Sequence, residues 1–292
     1  MQSKKIHIAA STKEPMRLQD YGVGIFERIP TKSALKKAIK KKLVLVDGKV
    51  ASTGTFIKGG EKIEYLFENQ DIHTTRLKLN LEVVYEDDYL AVINKPAGIL
   101  VSGNGFKTIT NALTQNLKAS TASDAVTPQP VHRLDYATTG LLLIGKTSSG
   151  IIELNKLFEN KKIHKTYYAV TIGLMQNSGS IVLPIDEKKA TSFFQVISTI
   201  LSERFKYLNL VKLNPQTGKR HQLRKHMLAN GTPILGDSTY FLDGLQLKGK
   251  GFYLHAYSLK FNHPILNKQM HIISNLPKRF EKLFPKQISK NE

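Results

Sequence analysis

The sequence contains no cysteine. This absence excludes disulfide bonds, thiolate nucleophiles and cysteine-based zinc sites, and it is typical of a protein from a reducing compartment. No stretch approaches the about 20 consecutive apolar residues that span a bilayer. The N-terminal segment, which His7 and Lys13 interrupt, lacks the apolar core of a signal peptide. We therefore expect a soluble, cytoplasmic protein without a membrane anchor.

Acidic residues are scarce relative to basic ones. Aspartate plus glutamate number 23 against 43 lysines and arginines, which gives a formal charge of +20 and a pI near 9.8. A polyanionic partner is the natural inference, because each cation that neutralises a phosphate releases a condensed counterion. A generally basic proteome or a membrane-surface protein would share this composition, although the second lacks a hydrophobic anchor. The length of 292 residues suffices for one good core and a smaller second one, so we expect two domains.

An amphipathic helix is predicted between Thr31 and Leu43, with Thr31 as the N-cap. Its apolar positions recur at helical spacing and predict a core-facing side, formed by Ala34, Leu35, Ala38, Ile39 and Leu43. The other side carries only lysines, here called the lysine stripe: Lys36, Lys37, Lys40 and Lys41. A solvated helix face is the commoner fate of such a run, but solvated faces usually mix charges of both signs. The stripe is therefore a candidate contact for a polyanion.

A hairpin and a strand follow this helix. Asp47-Gly48, flanked by aliphatic residues, predicts a two-residue turn, and E-K-I-E-Y-L after Gly59-Gly60 predicts a further strand. The segment from Met16 to Leu66 resembles the S4 RNA-binding module, which lays a basic helix along folded RNA. The resemblance rests on R-L at 17–18, S-A-L-K-K-A-I-K at 33–40 and V-D-G at 46–48, and it fails at G-V-G-I-F-E in the first helix.

The rest of the chain predicts a larger α+β unit. The polar segment from Glu68 to Arg76 predicts a linker, and the expected boundaries are 1–70 for the S4-like domain, 71–80 for the linker and 81–292 for the larger domain. Short aliphatic runs between residues 79 and 101 predict strands. We expect a surface loop from Lys118 to Pro130 and a helix from Ser148 to Leu157.

A dense polar cluster precedes the most hydrophobic segment of the chain. The segment from Val131 to Gly145 is V-H-R-L-D-Y-A-T-T-G-L-L-L-I-G. Asp135, followed by small residues that leave room for a ligand, could be a nucleophile, a general base or a metal ligand. The metal role is the weakest, because hard cations prefer several carboxylates. On this fragment alone, an ion-paired loop aspartate is about as good an interpretation.

A second, basic cluster lies from Thr217 to Met227 in T-G-K-R-H-Q-L-R-K-H-M. Arg220, His221, Arg224 and Lys225 fall within two predicted helical turns, which suits contacts with phosphate. His221 is more often a hydrogen-bonded packing residue than a catalyst in such a position. Because His221 and His226 are five residues apart, they lack the spacing of a helical metal pair. No phosphate-binding loop or kinase motif accompanies either cluster.

Together these clusters resemble the ordered motifs of the large-subunit-type (RluA-like) pseudouridine synthases. Five segments match in the family's order between about Val83 and Pro264: I-N-K-P-A-G-I-L-V, H-R-L-D-Y-A-T-T-G-L-L-L, K-T-Y-Y-A-V, T-G-K-R-H-Q-L-R and L-H-A-Y-S-L-K-F-N-H-P. The resemblance implies an α+β catalytic domain on a mixed, mainly antiparallel β-sheet with flanking helices, preceded by the S4-like domain. It also implies isomerisation of uridine in RNA to pseudouridine, without a metal or organic cofactor.

The resemblance assigns roles residue by residue. Asp135 matches the essential aspartate, and Arg224 would pair with it and keep it ionised. Tyr167, rather than Tyr168, matches the tyrosine that faces the target base, and Leu223 would line the other side of that base. Arg133 matches the arginine that enters the RNA helix as the base leaves, which offsets roughly a few kcal/mol of unstacking. His132 and Arg220 are further candidate RNA contacts.

Four departures from the family pattern bear on the substrate. Thr139 replaces a usual serine, Tyr136 stands where charged residues are frequent, Ser102 replaces an expected histidine, and Lys219-Arg220 replaces the commoner pair before His-Gln. None removes a proposed catalytic residue. The S4-like segment favours ribosomal RNA over transfer RNA, and we expect a monomer. The alternative is a non-catalytic RNA-binding or ribosome-assembly factor on the same fold.

Overall fold

The computed structural model describes residues 2–12, 14–29, 31–68, 77–247, 249 and 251–285. Most of the predicted linker, residues 69–76, lies outside these ranges. The strands are Gln2–Ile8 (β1), Met16–Arg17 (β2), Val44–Val46 (β3), Lys49–Val50 (β4), Phe56–Ile57 (β5), Lys62–Glu68 (β6), Glu82–Glu86 (β7), Leu90–Lys95 (β8), Ala125–Pro130 (β9), Thr139–Thr147 (β10), His164–Ile172 (β11), Ser178–Val182 (β12), Thr191–Ser202 (β13), Lys206–Pro215 (β14), Leu254–Asn262 (β15) and Gln269–Ile273 (β16). The helices are Leu18–Tyr21 (α1), Lys32–Lys40 (α2), Leu113–Asn116 (α3), Ser148–Glu159 (α4), Gln222–Ala229 (α5) and Lys278–Leu283 (α6), with a 3₁₀ turn at Thr110–Ala112.

The N-terminal unit places α2 against a sheet of order β1-β6-β3-β4. The predicted N-cap is confirmed, because the backbone N–H of Ala34 donates to Thr31 Oγ1 at 3.2 Å. The predicted hairpin is also confirmed: Asp47 and Gly48 have φ values of 49° and 77°, the positive angles that join β3 to β4 in a tight turn. The helix ends at Lys40, earlier than predicted. Leu35, Ala38 and Ile39 are buried, Ala34 is partly buried, and the lysine stripe is exposed.

The first helix of this unit is a single turn, α1, which ends at Tyr21, so residues 22–27, placed in the first helix from the sequence, form turns and bends instead. A strand that the sequence did not predict, β1, adds to the sheet by pairing antiparallel with the whole of β6. The helix-then-hairpin order from α2 to β4 agrees with the pattern that suggested an S4-like module. The assignment of this unit to that class stays a prediction.

The C-terminal unit is built on a sheet of ten strands, ordered β12-β13-β14-β11-β15-β10-β8-β7, with β16 on β15 and β9 on β10. Only β10 and β15 pair in parallel, and the other pairs in this sheet are antiparallel. The predicted α+β fold with a mixed, mainly antiparallel sheet is therefore confirmed. Within the described residues, no helix is both long enough and apolar enough to cross a membrane.

Strand β10 lies in the middle of the core, and each of its residues is buried. Strands β8 and β15 flank it, and α4 packs across it. Gly140, at its start, has a φ of 111°, and a Cβ atom there would overlap the backbone of Ala256 on β15. The strand therefore holds the end of the 131–138 loop in one place relative to β15.

The predicted surface loop from Lys118 to Pro130 is wrong in its second half, because residues 125–130 form β9. Pro130 and Gln129 pair with Ile144 and Gly145 of β10. Pro128 and Pro130 of this strand lack the backbone N–H that a residue inside a sheet donates. Strand β9 pairs on one side only, so its prolines do not leave ladder hydrogen bonds unmade.

Gly140→Ala should destabilise the protein by about 4 kcal/mol or more, since it adds both a backbone clash and an unfavourable positive φ. Gly48→Ala is the matched control: its φ is also positive, but a Cβ atom there meets nothing within 4 Å. The control should cost only about 1–2 kcal/mol. Urea unfolding followed by circular dichroism measures both, and equal losses would contradict the proposed clash at Gly140.

Candidate active site

A cavity of about 370 Å³ opens where the 131–138 loop, the start of β11 and the start of α5 meet. The sequence-predicted residues that line this cavity are His132, Arg133, Asp135, Tyr167, Arg220, Leu223 and Arg224. They come from segments that are far apart in the chain. The lysine stripe is the only predicted set that does not line it, since it lies on α2 of the N-terminal unit.

Asp135 lies on a loop that hydrogen bonds from Lys95 hold in place. Lys95 Nζ, fully buried, donates to the carbonyl oxygens of Pro96, Tyr136 and Thr138 at 2.8, 3.2 and 2.9 Å. Burial lowers the pKa of Lys95 to about 8, although the charge of Asp135 opposes this shift. Lys95 belongs to the I-N-K-P-A-G-I-L-V motif, but its position there did not indicate a role. Its three acceptors show why a cation is needed there.

Arg224 joins Asp135 to a second, deeper carboxylate. Its Nη1 lies 3.2 Å from Asp135 Oδ2, so the predicted pair is present. Its Nε and Nη2 donate to the two carboxylate oxygens of Asp237 at 2.7 and 2.8 Å, and its guanidinium lies over the rings of Tyr240 and Phe252. Burial alone would lower the pKa of Arg224, but the hydrogen bonds and charge of Asp237, with the charge of Asp135, raise it. The guanidinium is therefore fixed in position and in charge.

Asp237 is the main residue that the sequence analysis missed. Its side chain is fully buried, and it also accepts hydrogen bonds from the backbone N–H groups of Thr239 and Tyr240 at 2.9 and 3.0 Å. The signal was the segment G-D-S-T-Y, in which an aspartate next to a glycine marks a turn. The turn explains why an aspartate stands at position 237. Only the fold shows that its carboxylate also binds Arg224.

His221 faces the other oxygen of Asp135. Its Nε2 lies 3.8 Å from Asp135 Oδ1, while Nδ1 is hydrogen-bonded to the hydroxyl of Tyr240 at 3.0 Å. The backbone of His221 is left-handed, with a φ of 55°, a strained conformation for a residue with a side chain. Burial lowers the pKa of His221. The charge of Asp135 opposes this shift, and the charges of Arg224 and Arg220 add to it. The two oxygens of Asp135 therefore meet different neighbours.

Gln222 fixes the loop that carries His221. Its amide nitrogen donates to Thr191 O and Ser192 Oγ, both at 2.9 Å, and its amide oxygen accepts from Thr217 Oγ1 and the backbone N–H of Lys219. This buried side chain is the glutamine of the H-Q-L-R motif. Each of its polar atoms is used within the protein, so Gln222 shapes the cavity and has no hydrogen-bonding capacity left for a ligand.

Tyr167 and Leu223 supply the apolar walls. A bulge between Thr166 and Tyr167, where β11 pairs with β15, turns Tyr167 toward the cavity. Burial and then the charge of Asp135 raise the pKa of Tyr167, so its phenol keeps its proton at neutral pH. Tyr168, one residue on, packs edge-to-face against Tyr257 in a different core cluster. The prediction that Tyr167 and not Tyr168 faces the site agrees with this arrangement.

The remaining predicted residues differ in whether their polar groups are already bonded within the protein. His132 Nε2 accepts a hydrogen bond from the N–H of Leu143 at 2.9 Å, and its ring packs on Phe158. Burial, together with the charge of Lys165, lowers the pKa of His132 to about 3, so the ring is neutral. Arg133 and Arg220 are exposed, and in the part of the chain that the structure describes their guanidiniums have no hydrogen bond or ion pair. No three acidic or histidine side chains among the described residues converge as metal ligands.

Comparison with known proteins bears directly on this arrangement. A ribosomal large subunit pseudouridine synthase C of Rickettsia felis is 30% identical over 95% of this chain and 98% of its own length. The chain belongs to the RNA pseudouridylate synthase family. A ribosomal large subunit pseudouridine synthase D of Pasteurella multocida is 32% identical over 87% of this chain and 86% of its own. The family model for RNA pseudouridylate synthase matches residues 89–229, which include Asp135, Tyr167 and Arg224.

Solved structures agree with the fold of this pseudouridine synthase. Human RNA pseudouridylate synthase domain containing 4 aligns over 68% of this chain and 90% of its own, with a TM-score of 0.56 and 26% sequence identity. Human RNA pseudouridylate synthase domain containing 1 aligns over 68% and 86%, with a TM-score of 0.57 at 21% identity. The family that the motif series suggested is confirmed, and with it the enzymatic class of the chain.

Asp237→Asn should lower kcat by roughly tenfold to a hundredfold, because the charge-assisted hydrogen bonds that fix Arg224 beside Asp135 are weakened. A broken buried pair also costs about 3–5 kcal/mol of stability, so thermal unfolding is measured in parallel. Asp243→Asn, at an exposed position of the next loop, is the matched control and should change neither quantity. Full activity in a folded Asp237→Asn enzyme would contradict this role.

Proposed function

We propose that this enzyme converts specific uridines of large-subunit ribosomal RNA to pseudouridine, with Asp135 as the catalytic aspartate. The observation that carries the proposal is the cavity in which Asp135, Arg224 and Tyr167 meet. The names of the two bacterial relatives favour ribosomal RNA over transfer RNA, and the charge of +20 suits either. We further propose that the enzyme acts in the cytoplasm as a monomer.

The reaction exchanges one bond of the nucleotide for another. The bond between N1 of uracil and C1′ of ribose breaks, the ring turns, and a bond between C5 and C1′ forms; C5 loses a proton and N1 gains one. An ionised Asp135 serves either of two routes, as the nucleophile at C1′ or as the base that removes the proton from C2′. Both routes need the carboxylate to be charged and close to the sugar. Arg224 Nη1 lies 3.2 Å from Asp135 Oδ2 and stabilises the charge of that carboxylate.

The detached uracil has to stay in the cavity while it turns. Tyr167 and the buried Leu223 both line the cavity, and the uracil would lie between these two apolar surfaces, which suit a flat ring. Because the phenol of Tyr167 is protonated at neutral pH, it can donate a hydrogen bond to the uracil or pass a proton. An apolar slot also limits the entry of water, which would otherwise compete for the sugar.

The target uridine must leave the RNA stack to reach this slot. Arg133 is exposed at the cavity and has a free guanidinium in the described structure, so it is suited to fill the vacated position. Insertion would offset the unstacking cost of roughly a few kcal/mol. Arg220, which also lines the cavity, is exposed and would contact phosphate, whereas His132 would support the loop that carries Arg133.

The N-terminal unit is proposed to be an S4-like RNA-binding domain of residues 1–70, joined by a linker of residues 71–80 to the catalytic domain of residues 81–292. The exposed lysine stripe on α2 supports this function, because a face with one sign of charge favours a phosphate backbone over solvent alone. The stripe would contribute affinity and orientation, and not chemistry.

Asp135→Asn should abolish pseudouridine formation while RNA affinity changes less than about threefold, because the side chain keeps its size and the phosphate contacts remain. The measurement is pseudouridine mapping in total RNA from a strain that lacks the gene, after incubation with wild-type or variant protein. Asp243→Asn should restore the same uridines as the wild type.

The same experiment separates the rival function. If the wild type restores no uridine in ribosomal RNA, the proposed substrate is wrong. If Asp135→Asn rescues the phenotype of the deletion strain as well as the wild type does, the protein acts as an RNA-binding or assembly factor and the catalytic role of Asp135 fails.

Replacing Lys36, Lys37, Lys40 and Lys41 together by glutamine should weaken RNA binding and flatten its dependence on salt. Each lost phosphate contact removes about 0.7–0.9 from the slope of log K against log salt. The kcat at saturating RNA should stay unchanged, because the stripe does not line the cavity. Four other exposed lysines changed to glutamine serve as the control: Lys188, Lys189, Lys268 and Lys278. Equal losses in the two sets would show only general charge attraction.

A further inference from the structure

A second cavity, of about 400 Å³, adjoins the active-site cavity and is here called the flank cavity. It lies between the end of α4, the start of β11 and the 214–219 loop. The two cavities share part of their lining: Phe158, Lys165, Pro215, Thr217, Gly218 and Lys219. They are therefore two compartments of one cleft, and their volumes are nearly equal.

Lys165 stands on the boundary between these compartments. Burial lowers the pKa of its ammonium group, and within the described ranges no carboxylate lies within 4.0 Å of its Nζ and no hydrogen bond is made by it. Its Nζ lies 5.9 Å from the ring centroid of Phe158, and a Cβ atom added at Gly218 would be 3.7 Å from it. A partly desolvated cation without a counter-ion is costly, and an anion in the cleft would relieve that cost.

The wall of the flank cavity suits a nucleotide better than a bare anion. Lys161, His164 and Lys219 line it against a single acidic side chain, Glu159. The side chain of Gln216 makes no hydrogen bond to any described residue, so its amide can donate to and accept from the edge of an unstacked base. The amide of Asn214, in contrast, donates to Lys165 O and Thr166 Oγ1 and serves the protein itself.

We propose that the flank cavity takes the nucleotide next to the target uridine and that Lys165 binds the phosphate linking the two. This inference rests on the proposed function, since it needs an RNA chain with its target uridine at Asp135. Its support is the continuity of the two compartments: a chain that enters one with a flipped nucleotide must pass its phosphate across their shared boundary. The unpaired Lys165 is at that boundary, and Gly218 leaves room for the backbone to pass close by.

The test combines a protein change with a single neutral linkage in the RNA. Substrates are hairpins that contain a uridine mapped as a target, with a methylphosphonate replacing either the 5′ or the 3′ phosphate of that uridine. Lys165→Met should lower kcat/KM on the normal hairpin by roughly tenfold to a hundredfold, the loss of one charge-assisted hydrogen bond. One neutral linkage should cause a similar loss in the wild type and almost no further loss in Lys165→Met.

Two variants control this cycle. Lys165→Arg keeps the charge and should retain most of the activity, whereas Lys189→Met removes an exposed lysine elsewhere and should behave as the wild type. Equal activity of Lys165→Met and Lys189→Met would overturn the assignment of the phosphate. The same conclusion follows if, for each of the two linkages, the loss from the neutral linkage multiplies the loss from Lys165→Met. Should Lys165→Met fail to fold, the wild-type enzyme alone tests the proposal. If neither neutral linkage lowers its kcat/KM, the assignment of the phosphate is overturned.

The base compartment has its own readout. Hairpins that differ only in the nucleotide flanking the target should be distinguished by the wild type and less so by Gln216→Ala. Indifference of the wild type to the four bases and to an abasic residue would overturn the nucleotide assignment. Wild-type product on the normal hairpin reports the proposed function separately, and its absence would overturn both proposals.

Discussion

The fork between Arg224 and Asp237 is the interaction on which the candidate active site depends. A guanidinium presents its donors in one plane, and the buried carboxylate of Asp237 takes two of them at 2.7 and 2.8 Å. The backbone N–H groups of Thr239 and Tyr240 in turn fix Asp237. Only one edge of Arg224 is left for Asp135, so the direction of that contact is set before any substrate arrives. A lone arginine in this place would have to be ordered at each turnover.

The two sides of the cavity are held by different means. On the side of Asp135, the fully buried strand β10 and the three carbonyl contacts of Lys95 give a stiff support. On the side of α5, His221 has a left-handed backbone that is stabilised by Gln222 and Tyr240. Strain in a non-glycine residue persists only where the surroundings over-determine it, and this residue directly faces Asp135. The stiff side carries the proposed reactive group, and the strained side brings its charge partners to it.

The large positive charge of the chain is divided among distinct environments. Lys95 and Arg224 are interior cations that donate to carbonyls and carboxylates of the protein, so they act on the shape and charge of the cavity. Arg133, Arg220 and the lysine stripe are exposed, where each can neutralise a phosphate. Lys165 belongs to neither group, because it is mostly withdrawn from solvent and has no anionic partner in the described structure. This combination of burial and a missing counter-ion is the reason to regard the flank cavity as a binding site.

Local rules account for what the sequence alone determined. The N-cap at Thr31, the Asp47-Gly48 turn, the exposed lysine stripe and the buried β10 each follow from periodicity or turn chemistry within a few residues. The family and the residues of the cavity followed from the order of its motifs, which needs no coordinates. The strands β1 and β9 were not predicted, since each depends on a partner strand distant in the chain. Only the tertiary structure decided that Asp237 holds Arg224, that Lys95 holds the Asp135 loop and that Lys165 stands between two cavities. These are contacts between segments far apart in sequence, and no local pattern encodes which distant carboxylate or carbonyl a buried cation will meet.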